Sequence, residues 1–164
     1  MSFDIRTFRD ALGLFVTGVT VITTQDGAGQ PVGITANSFN SVSLDPALVL
    51  WSVGRQSRSL PAFEQADHFA VHILRVDQQN LSDRFATAMA DKFAGLALET
   101  GLGGIPLLSE YAARLQCSIY GRHPAGDHIV FIASVDRLDL NRAAKPLVYH
   151  GGQYARLADM PRPG

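Results

Sequence analysis

Cysteine is nearly missing from this chain. Cys117 is the only one in 164 residues, so an internal disulfide is excluded. It falls in an alternating apolar stretch, which suits a buried small hydrophobe rather than a nucleophile. Such cysteine use fits a reducing cytoplasm. No apolar run reaches ~18 residues, so no membrane-spanning helix is expected. The first ten residues carry Asp4, Arg6, Arg9 and Asp10 and lack the apolar core of a signal peptide. A surplus of one charge sign is missing too: the net charge is −1 and the pI about 6.5. Nucleic acid and anionic membrane surfaces call for a basic face, so neither is expected as a partner.

Several common chemistries also lack their signatures. The nearest approach to a dinucleotide-binding glycine motif is GLGGIP at 101–106. It follows no strand pattern, and proline stands where the third glycine belongs. There is no Walker loop and no nucleophile-elbow string GxSxG. His68 and His72 are four apart, but HFAVH reads as a strand, where such positions lie about 13 Å apart. His123, His128 and His150 are dispersed, so no metal site is expected.

What remains is an ordinary globular composition, 46% hydrophobic and 18% charged. The length suits one domain, which buries roughly 70% of the surface its unfolded chain exposes. We expect that domain over 1–158. The tail 159–164, with two prolines, is expected to be disordered.

The spacing of Phe3, Ile5, Phe8, Leu12 and Phe15 predicts a helix over 3–16. Residues 19–24, rich in β-branched side chains, predict a strand. The turn residues at 26–29 then join it to a second strand over 31–36. A continuous apolar run predicts a buried strand over 48–53. A short helix through Phe63 follows, capped by Ser57 or Ser59. A strand is expected over 68–74 and a helix over 77–85 with Asp77 as its cap. Five glycine or proline positions within 94–110 predict irregular structure. Strands follow over 113–120 and 128–138, joined by a loop at 122–127, and a short strand near 153–157. The lack of regular strand–helix alternation argues against a doubly wound sheet. It predicts a mainly β fold: an antiparallel barrel with peripheral helices.

Two stretches carry chemistry. Residues 33–43, GITANSFNSVS, are dense in small hydrogen-bonding side chains just after a strand. They form either a polar turn or a cradle that lets backbone approach a planar ligand. Ser52, Val53, Gly54, Arg55, Gln56, Ser57, Arg58 and Ser59 form either a solvated loop or a phosphate site built from guanidinium groups, hydroxyls and a helix N-terminus.

Read together, these stretches resemble the flavin reductase family that serves two-component flavin monooxygenases. Further matching strings are FVTGVTVITT at 15–24, SVSLDP at 41–46, LSDRFA at 81–86, DKF at 91–93, GDH at 126–128 and YHGGQY at 149–154. The resemblance covers nearly the whole chain and rests on the order and spacing of the strings. It implies an FMN-binding split β-barrel of Greek-key type, a homodimer, with FMN or FAD as cofactor and NADH or NADPH as hydride donor. The reduced flavin would pass to a flavin-dependent monooxygenase partner.

Carried over by position, Thr35, Ala36, Asn37 and Ser38 would line the isoalloxazine and ribityl region. Ser52, Val53, Ser57 and Arg58 would hold the ribityl chain and phosphate, with Gly54, Arg55 and Ser59 as further cofactor-binding positions and Arg58 on the phosphate. Phe85, Lys92, His150 and Tyr154 would lie near the flavin. His128 would position nicotinamide; its alternative reading is a strand-end histidine bonded to a neighbour. Ala47 departs from the family pattern, which often has a second proline there. Three other readings stay open: a flavoprotein that retains its flavin, a non-catalytic flavin-binding protein, and a reductase of a non-flavin acceptor.

Overall fold

The computed structural model describes residues 2–158; the expected disordered tail, 159–164, lies outside them. The chain opens on helix α1 (Ile5–Gly13), capped by the Asp4 carboxylate, which accepts from the Thr7 amide at 2.8 Å. α1 is shorter than the apolar spacing implies, and none of its residues is buried.

The strands follow as β1 (Thr17–Gly18), β2 (Thr20–Gln25), β3 (Pro31–Ala36), β4 (Asn40–Leu44), β5 (Ala47–Gly54), β6 (His68–Ile73), β7 (Leu98–Thr100), β8 (Pro106–Leu108), β9 (Ala113–Ala125), β10 (His128–Leu140), β11 (Val148–His150) and β12 (Gln153–Ala155). Helix α2 (Leu60–Gln65) precedes β6, and α3 (Gln79–Ala86) follows it.

Seven strands form one antiparallel sheet in the order β3-β2-β6-β9-β10-β5-β4. Laid flat, its edge strands would stand about 29 Å apart at the usual ~4.8 Å spacing. Yet β3 and β4, the two edges, are joined through residues 37–39 alone, which reach at most ~14 Å. The sheet therefore curls into a barrel split between β3 and β4. The expected mainly β fold with peripheral helices is the one found.

The barrel is filled by aromatic rings. Trp51 stacks on Phe131 at 5.3 Å between centroids and meets Phe63 and Phe69 edge-on. A second cluster, with Val19, Val21, Leu74, Phe85 and Phe93, packs α3 against β2 and β3. Gly33 is the contact that sets this distance. A Cβ there would lie 2.5 Å from the Phe85 ring and 3.0 Å from Phe93.

Local departures from the sequence expectations have local causes. The region 94–110 is not irregular throughout: β7 and β8 pair as a hairpin around a 3-10 turn. The expected loop at 122–127 is mostly ladder, with Pro124 opposite Ile129 and the turn tightened to Gly126 and Asp127. Pro124 is tolerated because β6 pairs β9 only as far as Ser118, so its missing N–H faces an open edge. Asp77 does not cap α3. Its carboxylate takes both a Nε and a Nη2 bond from Arg75 at 2.9 Å, and Gln78 stands at the cap position. Ser59 occupies the α2 cap position without a side-chain cap bond. β1, β4 and β11 are additions, and β1, β11 and β12 form a small sheet of their own.

Candidate functional site

Two clefts adjoin along β3. The first, of about 560 Å³, is bordered by 31–34 of β3, by Gln56, Ser57, Arg58 and Ser59, and by 85–93 at the end of α3, without Thr87. The second, of about 200 Å³, is lined by Val19, Thr35, Asn37, Ser82, Ala86, Tyr149 and Tyr154. Ala86 borders both.

The first cleft brings together two cations, Arg58 and Lys92, and one carboxylate, Asp91. Lys92 Nζ donates to the Gly33 carbonyl at 3.2 Å and to the Phe85 carbonyl at 2.8 Å. Desolvation by burial holds its ammonium below the usual lysine value. Its two hydrogen-bond partners are neutral carbonyls, so an arriving anion would add a charge-assisted bond. Ser57, Arg58 and Ser59 line the same cleft. The donor set therefore fits a phosphate tail. The second cleft offers neutral hydrogen-bonding groups. Thr35 Oγ1 donates to the Ser82 carbonyl at 2.6 Å. Tyr154 donates to Asp83 Oδ1 at 2.6 Å, and its oxygen lies 2.8 Å from Ser82 Oγ. Burial, with the Asp83 bond second, holds the Tyr154 hydroxyl above the usual phenol value.

The residues singled out in the sequence separate into groups. Ser57, Arg58, Ser59, Phe85 and Lys92 meet at the first cleft, and Thr35, Asn37 and Tyr154 at the second. Ala36 ends β3, its carbonyl taking the Thr20 hydroxyl at 2.6 Å. Ser38 and Ser52 bond each other: Ser38 Oγ donates to the Ser52 carbonyl and accepts from the Ser52 amide. Val53 turns its side chain into the barrel core. Arg55 faces the β9–β10 turn, where its Nε donates to the Gly126 carbonyl at 2.9 Å and its amide to the Asp127 carbonyl at 2.8 Å.

That turn carries His128. It is paired in register with Gly54, and its Nδ1 lies 2.7 Å from Asp127 Oδ1. This bond holds the Asp127 carboxyl below the usual carboxylate value. His128 is thus beside the 54–59 loop and lines neither cleft. His150 is exposed on β11 and lines neither cleft either.

Ser82 and Asp83 escaped the sequence reading although they lie within LSDRFA. The helical spacing of Ser82 and Phe85, both fully buried, was the available signal.

A split β-barrel with a cleft lined by Arg58 and Lys92 beside a polar, tyrosine-lined one is an architecture suited to binding a ligand with an anionic tail. The chain belongs to the flavin reductase family: the family model described as flavin reductase like domain matches residues 12–158. It is similar to the FMN reductase (NADH) SmoA of Agrobacterium fabrum, 45% identical over 153 residues, covering 93% of this chain and 86% of the relative. The flavin-dependent monooxygenase reductase subunit HsaB of Rhodococcus jostii is 41% identical, over 93% of this chain and 78% of its own. Some relatives are longer: the chain spans about half of the probable flavin reductase of Rhizobium meliloti, 49% of its length at 42% identity. Among solved structures, the Streptomyces globisporus NADH:FAD oxidoreductase SgcE6 superposes with a TM-score of 0.91 at 34% identity, covering 96% of this chain and 95% of that one.

Proposed function

We infer that this chain is an NAD(P)H:flavin oxidoreductase that reduces FMN or FAD by hydride transfer and supplies the product to a flavin-dependent monooxygenase. The observation that carries this reading is the adjacency of the two clefts at Ala86, with both Lys92 and Arg58 lining the larger one. That larger volume lies within the usual ~300–1,000 Å³ of small-molecule sites.

When bound, the flavin supplies the hydride-accepting ring, and the protein supplies binding, orientation and polarity. Lys92 and Arg58 hold the phosphate, helped by Ser57 and Ser59. Thr35, Asn37 and Tyr154 line the place of the ring, with Ala36 as the small residue between Thr35 and Asn37. Ser38 and Ser52 fix the 37–39 connection against β5. Arg55 carries the 54–59 loop to the β9–β10 turn, and Val53 and Gly54 place that loop's start through their main chain. Phe85 sets the depth of the cleft beneath β3. His128 positions the nicotinamide at the loop's outer side, with Asp127 orienting its ring. His150 and its hairpin border the pocket from β11. Bringing two rings to attack distance contributes several kcal/mol of barrier lowering without an acid or base from the protein.

Relatives named as monooxygenase reductase subunits support the monooxygenase partner. A homodimer is supported by the uncovered apolar face of α1, where Ile5, Phe8 and Leu12 are all exposed, a face of the kind that marks protein contacts. Among the described residues no helix is long and apolar enough to cross a membrane; we place the protein in the cytoplasm, with one domain over 1–158.

The test mixes the protein with NADH or NADPH and with FMN, FAD or riboflavin, and follows the nicotinamide absorbance. Flavin-dependent loss of that band is the expected result. Flavin binding without nicotinamide oxidation would make the chain a flavin-binding protein instead.

A further inference from the structure

The Tyr154 hydroxyl has one proton and two close oxygen neighbours, Asp83 Oδ1 at 2.6 Å and Ser82 Oγ at 2.8 Å. A carboxylate only accepts, so the phenol proton goes to Asp83. Ser82 must then donate to the Tyr154 oxygen. Ser82 is itself held firmly: its side chain is fully buried, its amide donates to the Gln78 carbonyl at 3.0 Å, and its carbonyl accepts from Thr35. The directions along Ser82, Tyr154 and Asp83 are therefore fixed. What Tyr154 has left to offer the second cleft is acceptor capacity, with no proton to give.

We propose that Asp83 is a positioning residue that makes Tyr154 an acceptor-only group toward the second cleft, and so favours the reduced flavin over the oxidised one there. The proposal rests on the flavin reading above. An oxidised isoalloxazine edge is mostly acceptors, with a single N–H; reduction adds N–H. An acceptor-only phenol matches the reduced edge and turns only lone pairs toward an oxidised one. Removing Asp83 frees the phenol proton to turn into the cleft, which reverses the preference. Asp83 touches no ligand in this scheme; it acts through Tyr154.

The experiment measures dissociation constants for oxidised FMN and, anaerobically, for dithionite-reduced FMN. The readout is quenching of Trp51, the single tryptophan. The parent, Asp83→Ala, Asp83→Asn, Tyr154→Phe and the Asp83→Ala/Tyr154→Phe double variant are compared. Asp83 is exposed on α3, where alanine is well tolerated. In Asp83→Ala the ratio of reduced to oxidised affinity is expected to fall on the order of 3–10-fold, the worth of one hydrogen bond. Asp83→Asn keeps an acceptor and should restore the parent ratio within about twofold. In the Tyr154→Phe background the Asp83 change should leave the ratio unmoved. If both forms bind and the Asp83→Ala ratio equals the parent's, the role of Asp83 is refuted while the flavin reading stands. If the parent binds neither form, the flavin reading fails and takes this proposal with it.

Discussion

Ser38 and Ser52 hold each other through one hydroxyl: Ser38 Oγ donates to the Ser52 carbonyl at 2.9 Å and accepts from the Ser52 amide at 3.0 Å. The pair ties the only connection between the two barrel edges to β5. Ser38→Ala leaves two main-chain groups without partners, which costs about 1–3 kcal/mol. Urea unfolding followed by Trp51 emission should show that loss. An unchanged midpoint would mean that water replaces the hydroxyl there.

Gly33 is expected to reject any side chain. Alanine would put Cβ 2.5 Å from Phe85 and 3.0 Å from Phe93, so the fully buried Phe85 ring would have to shift. Overpacking of this kind costs typically ~1–3 kcal/mol. It also pushes α3 away from β3 and stretches the Lys92 bond to the Gly33 carbonyl. Gly18→Ala is the control, since nothing lies within 4 Å of the added carbon; its stability should stay within about 0.5 kcal/mol of the parent.

The stretches that were legible in the sequence are those whose pattern is set locally. β2 and β3 could be read from β-branched residues flanking Asp26, whose Oδ1 accepts from the Ala28 and Gln30 amides at 2.9 Å. β5 could be read from its apolar run. β4 could not, because its residues are exposed or half-buried and a strand without a buried face shows no alternation. Pro124 concealed the end of β9, since its place at an unpaired edge depends on where β6 stops. The clefts were half legible. Loop and strand residues announced themselves by composition, whereas the Tyr154–Asp83 bond spans 71 positions and is made by topology alone.

His72 should make the fold sensitive to mild acid. It is fully buried, with Nδ1 3.1 Å from the Val21 carbonyl and Nε2 accepting the Leu108 amide at 3.0 Å. This pattern needs the neutral ring. Burial pushes its pKa down to about 4 from 6.5. The unfolded chain then binds the proton more readily, so stability falls as pH drops from 6.5 to about 4, by roughly 3 kcal/mol in all. The loss from Asp77 and Asp127, whose values are held below 3.8, comes at lower pH still. Equilibrium unfolding at pH 7 and pH 4.5 should show the drop. His72→Asn should be weaker at pH 7 and flatter between the two.

Lys92→Met and Arg58→Ala separate phosphate from ring recognition. Each charge-assisted bond contributes about 1.5–3 kcal/mol, or on the order of 10–150-fold in affinity. FMN binding should weaken by that factor in each variant, while riboflavin, which has no phosphate, should bind almost as to the parent. Equal losses for both ligands would place the phosphate away from the first cleft.

His128→Ala tests whether the β9–β10 turn serves the nicotinamide. His128 stands opposite Gly54, half-exposed, with Asp127 holding its Nδ1. It lines neither cleft, so removing it should leave the FMN dissociation constant within about twofold of the parent. The Michaelis constant for NADH should rise by about tenfold, the equivalent of 1.4 kcal/mol. Asp127→Asn, which keeps the ring but weakens its orientation, should give a smaller rise in the same constant. If His128→Ala instead weakens FMN and leaves NADH kinetics alone, the turn acts through Arg55, whose Nε and amide bonds to Gly126 and Asp127 would then be what shapes the phosphate loop.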